Sequence, residues 1–183
     1  ILDIDLIDRV EVVRGPSSSV YGSQAFLGVI DVVTKRGALL DGAQASGSVG
    51  SFESYNGRLS YGKRFGNGFE MLGSSSAYDS NGDALYFREY DDPSTQNGVF
   101  RGGDYDRNGS TFAMFSYGGF TLTGAFNRRT KGVPITSSDA DMADTRRRTI
   151  DERGYLDLRY GAKIDDTTTM KARAFYDHYR YEG

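Results

Sequence analysis

The sequence predicts a mostly β protein, in which the end of a small α+β unit is followed by antiparallel up-and-down strands. Three observations lead to this fold class. The 183 residues include 24 glycines and only 3 prolines, a balance typical of many short strands joined by tight turns. Two valine-rich runs flank a stretch of glycine and serine near the start. From residue 37 onward, apolar and polar residues alternate, as they do in strands with one apolar face.

The first unit, residues 1–36, is predicted to be a compact arrangement of strand, helical turns and strand. Residues 4–14 and 28–35 are dense in valine and isoleucine, which favours strands covered on both faces. Pro16 cannot donate to a ladder and pushes Gly15 into an extended conformation, so the first strand ends there. The serines and glycines that follow favour short helical turns before the second strand.

The second unit, residues 37–183, is predicted to contain only strands and loops. The clearest strand is "FTLTGAFN", residues 120–127, where Phe120, Leu122 and Phe126 share one face and threonines occupy the other. The same alternation, weaker in three cases, gives seven strands in all. They are residues 42–52, 54–64, 69–78, 108–118, 120–127, 155–160 and 169–177.

The connections between these strands differ in length on the two sides of the predicted sheet. Residues 65–68, 117–120 and 163–167 are short turns, whereas residues 79–107 and 129–149 are long and polar. In an up-and-down order both long loops fall at one end, as expected of outer-membrane barrels. Tyrosines and phenylalanines near strand ends agree with the aromatic girdles of such barrels. Alternation alone fits a soluble antiparallel meander or sandwich equally well.

Composition excludes several other classes. The 22 basic and 25 acidic residues are interleaved, so no block resembles a nucleic-acid footprint. The longest apolar stretch, residues 25–30, is much shorter than the roughly 20 residues of a membrane-spanning helix. There is no cysteine, and therefore no disulfide and no cysteine metal site. The chain opens in mid-element, so we expect it to be an internal piece of a longer protein whose seven strands leave two open edges.

Residues 9–35, "RVEVVRGPSSSVYGSQAFLGVIDVVTK", resemble the carboxyl-terminal part of the plug domain of TonB-dependent outer-membrane receptors. Two positions depart from that family's pattern: Leu27 stands where a glycine is usual, and Asp31 where an asparagine is common. The matching positions are Arg9, Val10, Glu11, Val12, Arg14, Gly15, Pro16, Ser18, Tyr21, Gly22, Ala25, Gly28, Val29, Ile30, Thr34 and Lys35.

The resemblance implies a fold and a function for the chain. In this family the plug fills a barrel of 22 strands, so residues 1–36 would end the plug and residues 37–183 would begin a transmembrane barrel. The receptor would lie among the lipids of the outer membrane of a Gram-negative bacterium. It would import a scarce nutrient, such as a ferric siderophore or another small-molecule metal chelate, or cobalamin. The TonB complex would supply the energy through a segment outside this chain, and no cofactor or enzymatic chemistry is implied.

Arg14 is the residue to which the resemblance gives a structural role. It matches the plug arginine that pairs with carboxylates on the inner barrel wall, so we expect it at the interface between plug and barrel. A buried guanidinium needs such partners, and we expect them on strands outside this chain. The alternative is a solvated arginine at the end of a strand.

The long loop at residues 79–107 contains the candidates for ligand contact. In "ALYFREY", Tyr86, Phe87, Arg88 and Tyr90 can stack on a ligand and donate hydrogen bonds to it at the extracellular mouth. The alternative is that these aromatic residues pack the loop against its neighbours.

Three further features carry no predicted site. "DSNGD" (79–83) and "DADMAD" (139–144) suggest calcium, but in the first Ala84 stands where the calcium loop needs glycine and Tyr90 where it needs glutamate. We predict that these carboxylates are solvated loop residues. His178, the one histidine, has no nucleophile beside it in the sequence, and neither a nucleophile elbow nor a phosphate loop is present. The sequence therefore predicts a protein that is not an enzyme, with a β-rich binding or adhesion module as the alternative to an import receptor.

Overall fold

The computed structural model describes residues 2–15, 25, 27–134 and 144–183, and it divides them into a hairpin and a large sheet. The hairpin pairs β1 (Ile7–Arg14) with β2 (Gly28–Thr34) in antiparallel order. A single 3-10 turn, Ile4–Leu6, precedes it, where the sequence predicted the start of the strand. The turn forms because the Asp3 carboxylate caps it by accepting a hydrogen bond from the Asp5 amide at 2.9 Å.

The large sheet contains seven antiparallel strands in the order of the chain, which confirms the predicted mostly β, up-and-down fold. The helical turn α1 (Gly37–Leu40) leads into it, and a small hairpin of β6 (Leu85–Tyr86) and β7 (Val99–Phe100) lies in its longest loop with two 3-10 segments, Arg88–Tyr90 and Pro93–Gly98. The sheet strands are β3 (Gly42–Gly50), β4 (Ser54–Arg64), β5 (Glu70–Ser80), β8 (Asp106–Tyr117), β9 (Phe120–Gly132), β10 (Arg148–Lys163) and β11 (Thr169–Glu182).

The last three strands are longer than predicted. Strand β9 ends at Gly132 and β10 begins at Arg148, so both extend into the region predicted as a loop. The extension replaces apolar residues with charged ones, as in Arg128 opposite Glu152. Hydrophobic periodicity fades there, although the backbone ladder continues. The sequence signal therefore reports the length of the apolar band and not that of the strand.

The two sides of the sheet differ in chemistry. We call the side that contacts Leu6 the inner face and the opposite side the outer face. Polar side chains follow one another across the registered strands of the inner face: Asn56, Arg58, Ser60, Ser74, Ser76, Asn108, Ser110, Asn127, Arg129, Asp157 and Arg173. The outer face carries exposed apolar side chains: Leu59, Tyr61, Phe115, Leu122, Phe126, Leu156, Leu158, Met170 and Tyr176. An apolar surface this continuous marks a contact surface.

The hairpin of β1 and β2 is less covered than its composition predicts. Val10, Val12 and Ile30 are exposed among the described residues, although their β-branched runs favour strands covered on both faces. Among the described residues that precede the sheet, Leu6 of the 3-10 turn is the one that belongs to the buried cluster of the sheet. No helix in the described part of the chain has both the length and the apolar character needed to cross a bilayer.

Two features that require glycine, a tight turn and a close backbone contact, fix the geometry of the sheet. At the turn between β8 and β9, Gly118 and Gly119 have φ of 55° and 88°, the positive values that a two-residue hairpin turn of type I′ requires. At α1, a Cβ on Gly37 would lie 2.0 Å from the carbonyl oxygen of Met71, so the helical turn docks on β5 because this position has no side chain.

Replacing Gly37 with alanine is therefore expected to undock α1. Since the added methyl would overlap a backbone oxygen, the free energy of unfolding should fall by about 1–3 kcal/mol, the usual cost of overpacking. Urea unfolding of the purified protein measures this loss. The matched control is Gly66→Ala, at a turn position where a Cβ has no heavy atom within 4 Å. Equal stability of the two variants would contradict the close packing of α1 on β5.

Candidate functional site

The contact between the first residues of the chain and the inner face is the centre of the candidate site. Leu6 is 2% exposed and packs against Leu72, Phe112, Met114 and Ala125. Burying a leucine to this extent stabilises the contact by about 1.5–3 kcal/mol. The Leu6 carbonyl also accepts a hydrogen bond from the Lys35 amide at 2.8 Å, which joins the segment to the end of β2.

An ion pair crosses the same contact. Arg58, on the inner face of β4, has a side chain only 7% exposed, and its Nη2 lies 2.7 Å from Oδ2 of Asp5. Its Nη1 donates to Ser60 Oγ at 3.2 Å, while its Nε lies 3.8 Å from Asp3 Oδ2 and has no hydrogen-bond partner. A guanidinium this deeply buried depends on its carboxylate partners. The first residues of the chain are therefore held by charge as well as by packing.

A second polar contact fixes the connection between the two parts of the chain. Glu70, buried at the start of β5, accepts a hydrogen bond from the Ala38 amide at 3.0 Å. Its other oxygen lies 3.7 Å from Nη1 of Arg36. Because the carboxylate binds the first turn of α1, the chain that leaves β2 is fixed directly to the sheet it enters.

A polar pocket of about 230 Å³ lies between the first residues and the inner face. Asn56, Ser76, Asn108, Ser110 and Asn127 line its sheet side. Two hydrogen bonds order this wall, from Asn127 Nδ2 to Asn108 Oδ1 at 2.6 Å and between the Ser76 and Ser110 hydroxyls at 2.7 Å. Amides and hydroxyls both donate and accept, so the wall suits neutral hydrogen-bonding groups.

A larger cleft of about 710 Å³ separates β2 from β10 and β11. Asp31 lines one side of the cleft, and Arg159, Lys171 and Arg173 line the other. The buried carboxylate of Asp157 orients the two arginines, which donate to it from Nε at 3.2 Å and 2.9 Å respectively. The carboxylate of Asp31 thus lies across the cleft from a basic wall. Asp31 is also one of the two positions that depart from the family pattern described above.

Arg14, the predicted interface residue, lies at the end of β1 opposite Gly28. Its side chain is exposed and forms no ion pair within the described part of the chain. The role predicted for Arg14 therefore stays a prediction. The crossing pair that the structure does contain, Arg58 with Asp3 and Asp5, was not singled out from the sequence. Its signal in the sequence was a single arginine in the otherwise uncharged stretch "YNGRLSYG".

The four candidate residues of the long loop separate into two pairs. Tyr86 and Arg88 are exposed, whereas Phe87 and Tyr90 are half-buried. The Tyr86 hydroxyl donates to Asp91 Oδ2 at 2.9 Å, and this hydrogen bond to a carboxylate raises the pKa of Tyr86. The Phe87 amide donates to the Gly98 carbonyl at 2.9 Å and closes the small hairpin. Phe87 and Tyr90 are therefore partly covered within the loop, whereas Tyr86 and Arg88 are exposed, with the Tyr86 hydroxyl bound to Asp91 of the same loop.

The loop carboxylates considered for calcium have protein partners. Asp79 lies 3.2 Å from Nε of Arg107, and Asp83 accepts from the Ala84 amide at 2.7 Å. Asp144 binds both Nε and Nη2 of Arg146, and this pairing lowers its pKa to about 2. Residues 139–143 of the second acidic stretch lie outside the described residues. Within the described ranges, no group of three or more acidic, histidine or cysteine side chains is arranged to hold a metal ion.

Comparison with known proteins identifies the segment that contacts the inner face. Residues 1–29 match the family described as TonB-dependent Receptor Plug Domain. Over 67 residues the chain is 36% identical to the vitamin B12 transporter BtuB of Vibrio vulnificus (strain CMCP6). This aligned part is 37% of this chain and 11% of that relative. Over 52 residues it is 38% identical to vitamin B12 transporter BtuB of Vibrio cholerae serotype O1 (strain M66-2), covering 28% of the chain and 8% of the relative.

These matches confirm the resemblance predicted from the motif. The matched part of the chain spans about a tenth of the length of these relatives.

Removing the charge of Asp5 is expected to loosen the first residues from the inner face. In Asp5→Asn the buried guanidinium of Arg58 keeps only the distant Asp3 carboxylate, so the free energy of local opening should fall. Because Asp5 is itself partly solvated, we expect a loss of about 2 kcal/mol, below the ~3–5 kcal/mol of a fully buried pair. Hydrogen exchange of the amides in residues 2–8 measures it.

The matched control for this experiment is Asp8→Asn, since Asp8 pairs with the exposed Arg9. Exposed pairs contribute about 0–1 kcal/mol, so exchange should change little. If the two variants exchange alike, Arg58 does not hold the segment.

Proposed function

We propose that this chain is a part of a TonB-dependent receptor that joins the end of the plug to the first seven strands of the outer-membrane barrel. In this proposal residues 1–36 complete the plug and residues 37–183 form part of the wall around it. The full receptor imports a scarce, bulky nutrient across the outer membrane of a Gram-negative bacterium. The TonB protein supplies the energy through a segment outside this chain.

One observation carries the proposal: the segment matched to the plug family lies on the polar face of a sheet whose opposite face is apolar and exposed. In a soluble sheet the apolar face would pack against the core. Here the arrangement is reversed, as in barrels with lipid outside and a polar interior. The exposed valines of β1 and β2 agree with this, because a longer plug would supply the cover that the described residues do not.

The contacts on the inner face suggest how the gate is held shut. Leu6 and the pair between Arg58 and Asp5 keep the plug segment on the wall. Moving the segment would expose the leucine to water and leave the guanidinium without its carboxylate. Both changes cost free energy, so the segment stays in place until work is done on the plug. No bond is made or broken in this step.

For the cargo we propose cobalamin, with a ferric siderophore as the alternative. Two relatives are named as vitamin B12 transporters. The amide and hydroxyl wall of the polar pocket agrees with this choice, because cobalamin carries amide side chains that donate and accept hydrogen bonds. We propose that Tyr86 and Arg88, which face solvent, contact the ligand at the outer mouth, with Phe87 and Tyr90 supporting them.

The import function is expected to appear as restored cobalamin uptake in cells that lack their own cobalamin receptor. The full-length protein should be extracted from outer membranes only with detergent, and labelled cobalamin should enter the cells in a TonB-dependent manner. Uptake of ferric siderophores instead of cobalamin would favour the alternative cargo. Recovery of the protein in aqueous fractions, with no uptake of either ligand, would refute the proposal and favour a binding or adhesion module.

Arg88→Ala is expected to weaken ligand binding by the full-length receptor about tenfold, the loss expected when a charged donor no longer reaches its acceptor. Equilibrium binding of cobalamin to the purified receptor measures the effect. Arg101→Ala is the control, since Arg101 is an exposed arginine of the same loop that was not assigned to the ligand. Equal affinities of the two variants would remove Arg88 from the ligand contacts.

A further inference from the structure

The two faces of the hairpin of β1 and β2 differ in how far the sheet covers them. Along β2, Val29 and Val33 are half-buried, whereas Ile30 is 70% exposed and Val32 is 42% exposed. Because successive side chains of a strand point to opposite sides, Asp31 shares the face of Val29 and Val33. This face is turned to the sheet, since Val29 and Asp31 line the cleft between β2 and the strands β10 and β11.

Two carboxylates lie side by side on this face of the hairpin. Asp31 of β2 is directly opposite Glu11 of β1 in the ladder, so both side chains point to the same side. Glu11 has a cation of its own, because one of its carboxylate oxygens is 2.6 Å from Nε of Arg9. Asp31 forms no ion pair with any other described residue. Since like charges directly opposite each other destabilise a sheet, the hairpin carries a charge at Asp31 that it does not itself compensate.

The sheet presents an excess of cations on the other side of the cleft. Arg159 and Arg173 lie directly opposite each other on β10 and β11, and Lys171 is two residues from Arg173 on the same face. The buried carboxylate of Asp157 accepts hydrogen bonds from both arginines. Three cations and one carboxylate leave this wall with two net positive charges. The arginines share a carboxylate, whereas Lys171 forms no ion pair within the described ranges of the chain.

The uncompensated charges on the two walls are of opposite sign, and Asp31 and Lys171 line the same cleft. Asp31 and Arg159 also line the adjoining cleft of about 460 Å³ beside β2. Lysine carries its ammonium on a flexible stem of four carbons, which suits a contact across a gap. We propose that Asp31 binds Lys171, with Arg159 as a second cation beside the carboxylate, and that this contact fastens the hairpin to β10 and β11.

This contact gives the hairpin a second attachment, beyond the one at its base where Leu6 is buried. A hairpin held only at its base can turn about that base, and a contact part-way along β2 prevents this. Arg14, three residues after Glu11, is on the opposite face, which agrees with partners on strands outside this chain. Asparagine, common at position 31 in the family pattern, has no charge to offer, so the contact belongs to this chain. The inference rests on the proposed function, because it takes the sheet to be the wall around the hairpin.

The first test compares the full-length receptor with its Asp31→Asn variant, both purified in detergent. Each is treated with N-hydroxysuccinimidyl acetate, and mass spectrometry measures the rate of acetylation at each lysine. An ammonium bound to a carboxylate is less often free to react. We therefore expect Lys171 to react about two to five times faster in the variant, the factor that corresponds to a partly solvated ion pair. Lys163, which pairs with Asp166 at the end of β10, is the internal control and should react at an unchanged rate.

A charge swap tests whether the contact holds the hairpin in place. Asp31→Lys and Lys171→Asp each put like charges on the two sides of the cleft, so hydrogen exchange of the amides in residues 28–34 should quicken at least about twofold. The double variant Asp31→Lys/Lys171→Asp has opposite charges again and should exchange at the original rate. Its matched control is Asp31→Lys/Lys163→Asp, which should not restore the rate, because Lys163 is not among the residues that line the cleft.

The outcomes separate this inference from the proposed function. Acetylation of Lys171 at the same rate in Asp31→Asn, or exchange in the swapped variant as fast as in the single variants, would overturn the contact. Asp31→Asn replaces one side chain with another of the same shape, so it decides the question even if a reversed variant assembles poorly. Cobalamin uptake is measured in parallel: uptake without the contact refutes the contact alone, and the contact without uptake refutes the cargo alone.

Discussion

Successive side chains of a strand point to opposite sides, and the structure of this chain depends on that constraint. Seven strands in continuous register place every second residue of each strand on the same face. A shift of one residue in any strand would exchange its polar and apolar sets, so the chemistry of the faces also fixes the pairing. The inner face can then bind a charged segment while the outer face offers apolar surface. A single layer of backbone therefore separates a polar face from an apolar one.

The contact on the inner face combines two interactions that respond differently to force. Burial of Leu6 against Leu72 and Phe112 is non-directional and weakens gradually as the surfaces separate. The pair of Arg58 with Asp5 is directional, and its guanidinium is in a place that water hardly reaches. Without that carboxylate the buried charge would lose its nearest ionic partner. Together they hold the segment on the inner face by packing and by charge.

The sequence predicted the order and number of the strands because period-two alternation and tight turns are local signals. It did not predict the full length of β9 and β10, since charged residues continue those strands beyond their apolar part. Nor did it single out Arg58, because nothing local shows that Asp3 and Asp5, more than fifty residues earlier, lie opposite that position. The motif at residues 9–35 indicated the family but drew attention to Arg14, whose predicted role at the interface stays a prediction. In the long loop the sequence indicated four candidate residues, and only the folded structure shows that two of them, Tyr86 and Arg88, are exposed.

The long loop begins and ends at paired residues, since Ser80 and Asp106 lie opposite each other in the ladder between β5 and β8. Its two ends are therefore fixed by the sheet, whatever the chain does between them. Closing a longer loop costs little additional entropy, about 0.6 kcal/mol for each doubling of its length. Insertions, deletions or complete exchange of these residues would leave the wall unchanged. Evolution can accordingly alter this loop without rebuilding the sheet, and grafting another loop at Ser80 and Asp106 offers the same freedom in the laboratory.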